Sequence, residues 1–183
     1  MILGSPSIMS RSGSASHRHA DMRLLPTLLD RLCDAAPQRQ TEVPGEYAPT
    51  RAQMREIVQR DLAFLLNTTS IEDQIDRTRF PHAAASTLNF GVPPLAGAFI
   101  ASRNWAEIER IVRRAIADFE PRLIPDSLIV SPSNAPTAQA RYNLVSFEVR
   151  GMIHMQPYPL EFMVQSALDL ETSQINVTGM RGG

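Results

Sequence analysis

The chain contains a single cysteine, Cys33, so no internal disulfide can form and a reducing compartment fits. No apolar run in the sequence approaches the roughly 18 residues that a membrane span needs. Charge of one sign is also missing. Nineteen acidic and 18 basic side chains leave a formal net charge of −1, which gives no global electrostatic case for nucleic acid or an anionic membrane. The opening stretch MILGSPSIMSRSGSASHRHAD makes a poor signal peptide. Gly4, Ser5 and Pro6 break its apolar start, and its positive charges come after that start rather than before it. The sequence shows no glycine-rich phosphate loop after a strand, no His-x-x-x-His or Cys-x-x-Cys pair and no Gly-x-Ser-x-Gly elbow. These absences lead us to expect a soluble, cytoplasmic protein with no cofactor and no metal.

What is present is an ordinary globular mixture, 43 % hydrophobic and 20 % charged, in 183 residues. That length suits one domain with tails. Residues 1–20 are serine-rich and poor in large side chains, so they bury too little to offset their ordering entropy and read as a disordered arm. His17 and His19 lie in this arm without further ligands and read as solvated rather than metal-binding. Residues 21–49 read as a short amphipathic helix and a linker. Leu25, Leu28, Leu29 and Leu32 fall on one helical stripe, and Pro37 closes the segment. Cys33 on this helix reads as packing.

Residues 50–176 hold the expected domain. Thr50 and Gln53 form a capping-box pattern ahead of the stripe Met54, Ile57, Val58, Leu62, Leu65 and Leu66. Prolines 81, 93 and 94 with Gly91 and Gly97 exclude a long regular element over 78–97, where Leu88 and Phe90 are expected to tuck into the core. Asn104 and Glu107 repeat the cap pattern before a second helix, with Trp105, Ile108, Val112, Ala115, Ile116 and Phe119 as its buried stripe and Ile111 at the edge. Arg110, Arg113 and Arg114 on this helix are candidates for an anion, but dipole and pairing arguments favour a solvated, ion-paired face. Beyond 126 the period falls to two. SLIV, YNLVSFEVRGMIHM and LEFMVQSALDL read as strands, with a hairpin at Pro157–Pro159, and residues 177–183 read as a frayed end. The fold class is therefore α+β, with amphipathic helices on one face of an antiparallel sheet of about three strands.

Carboxylates are the remaining route to catalysis. Glycoside hydrolysis needs one carboxyl kept protonated and a second at about 5–9.5 Å. Glu120, Glu148, Glu161 and Asp169 are of the right type. Arg122 and Arg150, each two residues from a glutamate, would hold Glu120 and Glu148 ionised if they meet in space, which is wrong for a general acid. His154 at a strand end reads as satisfied or exposed rather than catalytic. Pro121 disfavours helical geometry at Glu120 and so stops the second helix there. Glu120-Pro121-Arg122 then forms a stiff charged corner, able to lock the helix onto the sheet or to present both charges to a partner.

Together these segments resemble a known family. LLPTLLDRL (24–32), IVQRDLAFLLNT (57–68), FPHAAASTLNFGVPPLAG (80–97), IERIVRRAIADFEPRL (108–123) and FEVRGMIHMQPYPLEFMVQSALDLETS (147–173) are similar, in order, to TssE-type baseplate subunits of the bacterial type VI secretion system. Those are relatives of the phage tail baseplate protein that starts the contractile sheath. The resemblance covers most of 24–173 and rests chiefly on the Glu-Pro-Arg tripeptide with the Leu-Asn-Phe-Gly loop before it. It implies a structural protein without catalytic residues, at the cytoplasmic side of the inner membrane. The implied partners are wedge subunits of the TssF, TssG and TssK types and sheath subunits of the TssB and TssC types, with no nucleic acid and no direct membrane insertion. The tripeptide Glu120, Pro121 and Arg122 matches the family signature. With the leucine stripe, it makes up the expected partner-binding residues. The phage relative has carried a lysozyme label, so a small peptidoglycan-degrading hydrolase is the alternative.

Overall fold

A computed structural model describes residues 30, 32, 37–38, 49–95, 104–133 and 144–179. The expected arm at 1–20, most of the leucine helix and linker, and residues 180–183 lie outside the described residues. Helix α1 spans Arg51–Asn67 and opens on the expected capping box, with both the Thr50 and the Gln53 side chains bonded back to the backbone. Its stripe is inside: Met54, Val58 and Leu62 are fully buried and Leu65 and Leu66 nearly so. Helix α2 is one turn, Pro81–Ala84, and helix α3 spans Trp105–Phe119. Asn104 caps α3 by accepting the Ala106 N–H, while the Glu107 carboxylate takes Arg110. The α3 stripe Ile108, Ile111, Val112, Ala115 and Ile116 is buried, with Trp105 and Phe119 half-buried at its ends.

The sheet runs in the order β1-β2-β3-β4, all antiparallel: β1 is Ile129–Pro132, β2 Leu144–Ile153, β3 Leu160–Asp169 and β4 Ile175–Gly179. Helix α1 packs under β4 and β3 and α3 under β1, so both long helices cover one face. Phe147 and Val149 of β2 and Leu160, Phe162, Val164 and Leu168 of β3 meet them there. Each such side chain, taken out of water, contributes about 1.5–3 kcal/mol.

Two expectations need correction. The sheet has four strands, not about three. Residues 177–179, expected as the start of a frayed end, pair with β3 through Val164↔Gly179 and Ser166↔Val177. The missed strand is short and carries Asn176, Thr178 and Gly179 between and beyond its two apolar positions, which dilutes its alternation. A turn with Asp169 Oδ1 accepting the Glu171 and Thr172 N–H groups brings it back alongside β3. The second correction is Leu88, which is 97 % exposed rather than tucked into the core. The single 3₁₀ turn Thr87–Asn89 puts Asn89 inside instead. Asn89 Oδ1 accepts the Ile71 N–H at 3.0 Å and its Nδ2 donates to the Ala84 carbonyl at 2.9 Å, so a polar side chain ties the loop together. Phe90 turns in as expected and meets Phe119 edge-on, at 5.4 Å between ring centres. Gly91 follows at φ +128°, where a Cβ would stand 2.3 Å from the Thr68 carbonyl oxygen. Only glycine fits that approach.

Candidate functional site: the Glu-Pro-Arg corner and its groove

Helix α3 ends at Phe119, with Glu120 as its cap and Pro121 next, as the proline rule requires. The chain then lies against the end of β2. The Ile124 N–H donates to the Met152 carbonyl at 2.9 Å, Leu123 bridges Ile153, and the His154 N–H donates to the Arg122 carbonyl at 2.7 Å. His154 itself is exposed. The corner thus joins helix to sheet through the backbone alone, before any charge is counted.

The side chains add a second lock. Arg122 Nε donates to Glu120 Oε1 at 2.6 Å and Nη2 to Glu120 Oε2 at 2.5 Å, a two-pronged fork. Nη2 also donates to Asp61 Oδ2 at 2.6 Å, reaching across to α1. Nη1 is buried without a partner. The side chains are 4 % exposed for Glu120, 12 % for Arg122 and 19 % for Asp61. Burial pushes the Arg122 guanidinium down, but the bonds and charges of Glu120 and Asp61 outweigh it and leave it above its ordinary value. Of the tripeptide, Pro121 alone is exposed. The structure therefore turns the two charges inward and the ring outward.

Beside Pro121 lies an open cavity of about 480 Å³, lined by Asp61, Phe64, Leu65, Phe90, Phe119 and the corner itself. Its floor is aromatic and aliphatic; its wall is the Asp61–Arg122–Glu120 triad. Sequence reasoning found the corner and expected Leu65, Phe90 and Phe119 in the core, but it passed over Phe64 and missed Asp61 as the partner of Arg122. Asp61 sits one position from the buried Leu62, at the margin of the α1 stripe, and only the crossing of α1 and α3 makes it a ligand for Arg122. Of the expected leucine stripe, Leu25, Leu28 and Leu29 lie outside the described residues. Leu32 is helical and 71 % exposed, and its neighbour Asp30 holds Arg60 of α1.

The other charged candidates disperse. Arg110 pairs with Glu107, Arg113 with Glu109 and Arg114 with Glu72, as expected of a solvated helix face. Glu148 meets Arg150, Asp169 serves its turn and Glu161 is exposed. Among the described residues no cluster of three metal-ligating side chains occurs, and no helix is long and apolar enough to cross a membrane.

Comparison with known families fits this picture. The family model of the baseplate wedge protein gp25 matches residues 52–158, more than half of the chain. TssE is the type VI homologue of gp25. No curated protein and no solved structure matches the chain significantly. The matched stretch contains every residue lining the groove and the whole Glu120–Arg122 corner, and the chain belongs to the baseplate wedge protein gp25 family.

Proposed function

We propose that this protein is a wedge subunit of a type VI secretion baseplate at the cytoplasmic side of the inner membrane, docking with other wedge subunits and nucleating the contractile sheath. Family membership supplies the baseplate and its components as the setting. The finer reading is carried by one observation, the unequal finish of the two sheet edges. On β4, the Ile175 N–H donates to Asn67 Oδ1 and its carbonyl accepts from Asn67 Nδ2, both at 2.8 Å. The Val177 carbonyl accepts from Gln59 Nε2 at 3.3 Å. Two α1 side chains thus occupy the outward row of that strand. On β1 the Ser133 N–H donates inward to the Ser146 carbonyl, so the antiparallel alternation turns Val130 N–H and the Val130 and Pro132 carbonyls outward. Among the described residues nothing bonds them. An edge with free backbone groups is a template for an added strand, and a sheath arm is the strand we assign to it.

In this reading Glu120 and Arg122 act from inside, by holding Pro121 and the groove in place, while the leucine stripe Leu25, Leu28, Leu29 and Leu32 contacts wedge subunits. Replacing Ile129, 54 % exposed on β1, by Glu should stop sheath assembly while co-purification with wedge subunits and the thermal midpoint stay normal. Normal sheaths with Ile129→Glu would remove the edge from the account. A turbidity assay on purified peptidoglycan tests the hydrolase alternative: clearing by the wild type that Glu120→Gln abolishes would replace the structural reading.

A further inference from the structure

Leu88 is the residue of the Leu-Asn-Phe-Gly loop that neither the groove nor the sheet edge uses. It is 97 % exposed on the 3₁₀ turn Thr87–Asn89, while its polar neighbour Asn89 is buried. That order inverts the usual preference of both side chains. A lone exposed leucine on a loose surface needs no explanation. This one stands on a turn that is fastened on three sides, and a local rule broken by a well-held turn points to function.

At the base of the loop, the Ser70 N–H donates to the Val92 carbonyl at 3.0 Å and the Val92 N–H to the Thr68 carbonyl at 2.9 Å, so the two ends meet. At the tip, the Asn89 N–H donates to the Ser86 carbonyl at 2.9 Å, and the Asn89 side chain holds Ile71 and Ala84. On the flank, Glu72 takes both Arg77 and Arg114, and Arg77 reaches Asp118, which fastens the loop to α3. Leu88 lends almost no burial to this arrangement. A side chain displayed on a fixed turn has little ordering entropy left to lose when a partner covers it.

The surroundings narrow the partner. Ile71, and Phe80, whose carbonyl accepts the Ala84 N–H, are exposed too. Residues 83–95 carry no charged side chain. Of the cations before them, Arg77 is ion-paired and Arg79 lies over the Phe80 ring at 5.0 Å. An anionic lipid surface is met by cations around an apolar tip, and residues 83–95 offer none. Three exposed apolar side chains also fall far short of the roughly 20–30 residues a side of a stable self-association. A concave, uncharged apolar pocket on another protein fits instead, because that partner supplies the enclosing surface itself.

We infer that Leu88 is a preformed anchor that enters an uncharged apolar pocket on a neighbouring wedge subunit. The owner of the pocket rests on the wedge reading; the display of Leu88 does not.

The test uses the full-length chain and purified wedge subunits of the TssF and TssG types. Leu88→Ser should leave the thermal midpoint unchanged and weaken binding to them about thirtyfold, at low and high salt alike. Leu88→Met should bind within about twofold of the wild type. In a Cys33→Ser background, the thiol of Leu88→Cys should react with a maleimide about tenfold more slowly once the wedge subunits are bound. Binding that Leu88→Ser leaves intact, or a thiol as reactive in the complex as alone, would overturn the inference and spare the wedge reading. A lowered thermal midpoint for Leu88→Ser would overturn it by making the leucine structural. Self-association, or sedimentation with phosphatidylglycerol vesicles, that Leu88→Ser abolishes would overturn it in favour of a second copy or a membrane. A wild type that binds no wedge subunit would sink both readings together.

Discussion

Glu120-Pro121-Arg122 and Glu148-Val149-Arg150 share one pattern, a glutamate two residues before an arginine, and both pairs close. Their surroundings differ. Arg122 is 12 % exposed, forks onto Glu120 and reaches a third group, Asp61, on another helix. Arg150 is 58 % exposed and reaches Glu148, itself 11 % exposed, two residues away on the same strand β2. An ion pair gains little in water, where screening and side-chain entropy cancel most of it. The same pair inside a domain has lost its water, so removing one partner strands a charge. The difference teaches that the pattern alone carries no energy; the number of elements converging on it does.

The sharpest way to break the comparison is to remove both arginines in turn. Arg122→Ala should destabilise the isolated domain by about 3–5 kcal/mol, read by urea unfolding, because Glu120 and Asp61 lose their shared cation. A loss under about 1 kcal/mol would put Arg122 on a par with a surface arginine and leave its role to a partner interface. Asp61→Asn keeps the shape but removes one of the two carboxylates. Its cost should be intermediate, about 1–2 kcal/mol, and a double-mutant cycle with Arg122→Ala should show strong coupling. Independent, additive costs would mean that the bond from α1 to the corner contributes nothing. Arg150→Ala should cost least, about 1 kcal/mol, because its own guanidinium keeps its water although Glu148 is nearly buried, and its effect should weaken in high salt.

Asp76 extends the series to a carboxylate fully in solvent. The Thr78 hydroxyl first, then the Arg79 N–H, hold it below its ordinary value of 3.8. A depressed carboxylate lends stability that is present above the unfolded pKa and is lost as pH falls through the folded one. Any contribution from the 76–80 turn should therefore fade only below about pH 4. Thr78→Val should return Asp76 to near its ordinary value by NMR titration. No change on that substitution would assign the shift to the backbone donors alone.

Helix α1, helix α3 and strands β2 and β3 were legible because each repeats its period over enough residues to announce a face. The capping box at Thr50 and the stop at Pro121 were legible for a similar reason, since a cap and a proline act on their own backbone within a few residues. Strand β4 was not, because its signal is two apolar residues and its place is secured by Asn67 and Gln59, more than a hundred residues earlier. Leu88 misled because apolarity speaks of burial only when the local turn aims the side chain inward, and here Asn89 took that place.

By itself, then, the sequence determined the class of the fold, the ends of its helices and the corner at Glu120–Arg122, all of them consequences of short-range backbone and periodic preferences. Tertiary structure alone decided that Asp61 completes the corner, that Phe64, Phe90 and Phe119 meet as one groove, and that Asn67 and Gln59 of α1 bond the outer row of β4. Each of these depends on which elements cross and at what register, and a crossing is settled by the packing of the whole core rather than by any residue's neighbours in the chain.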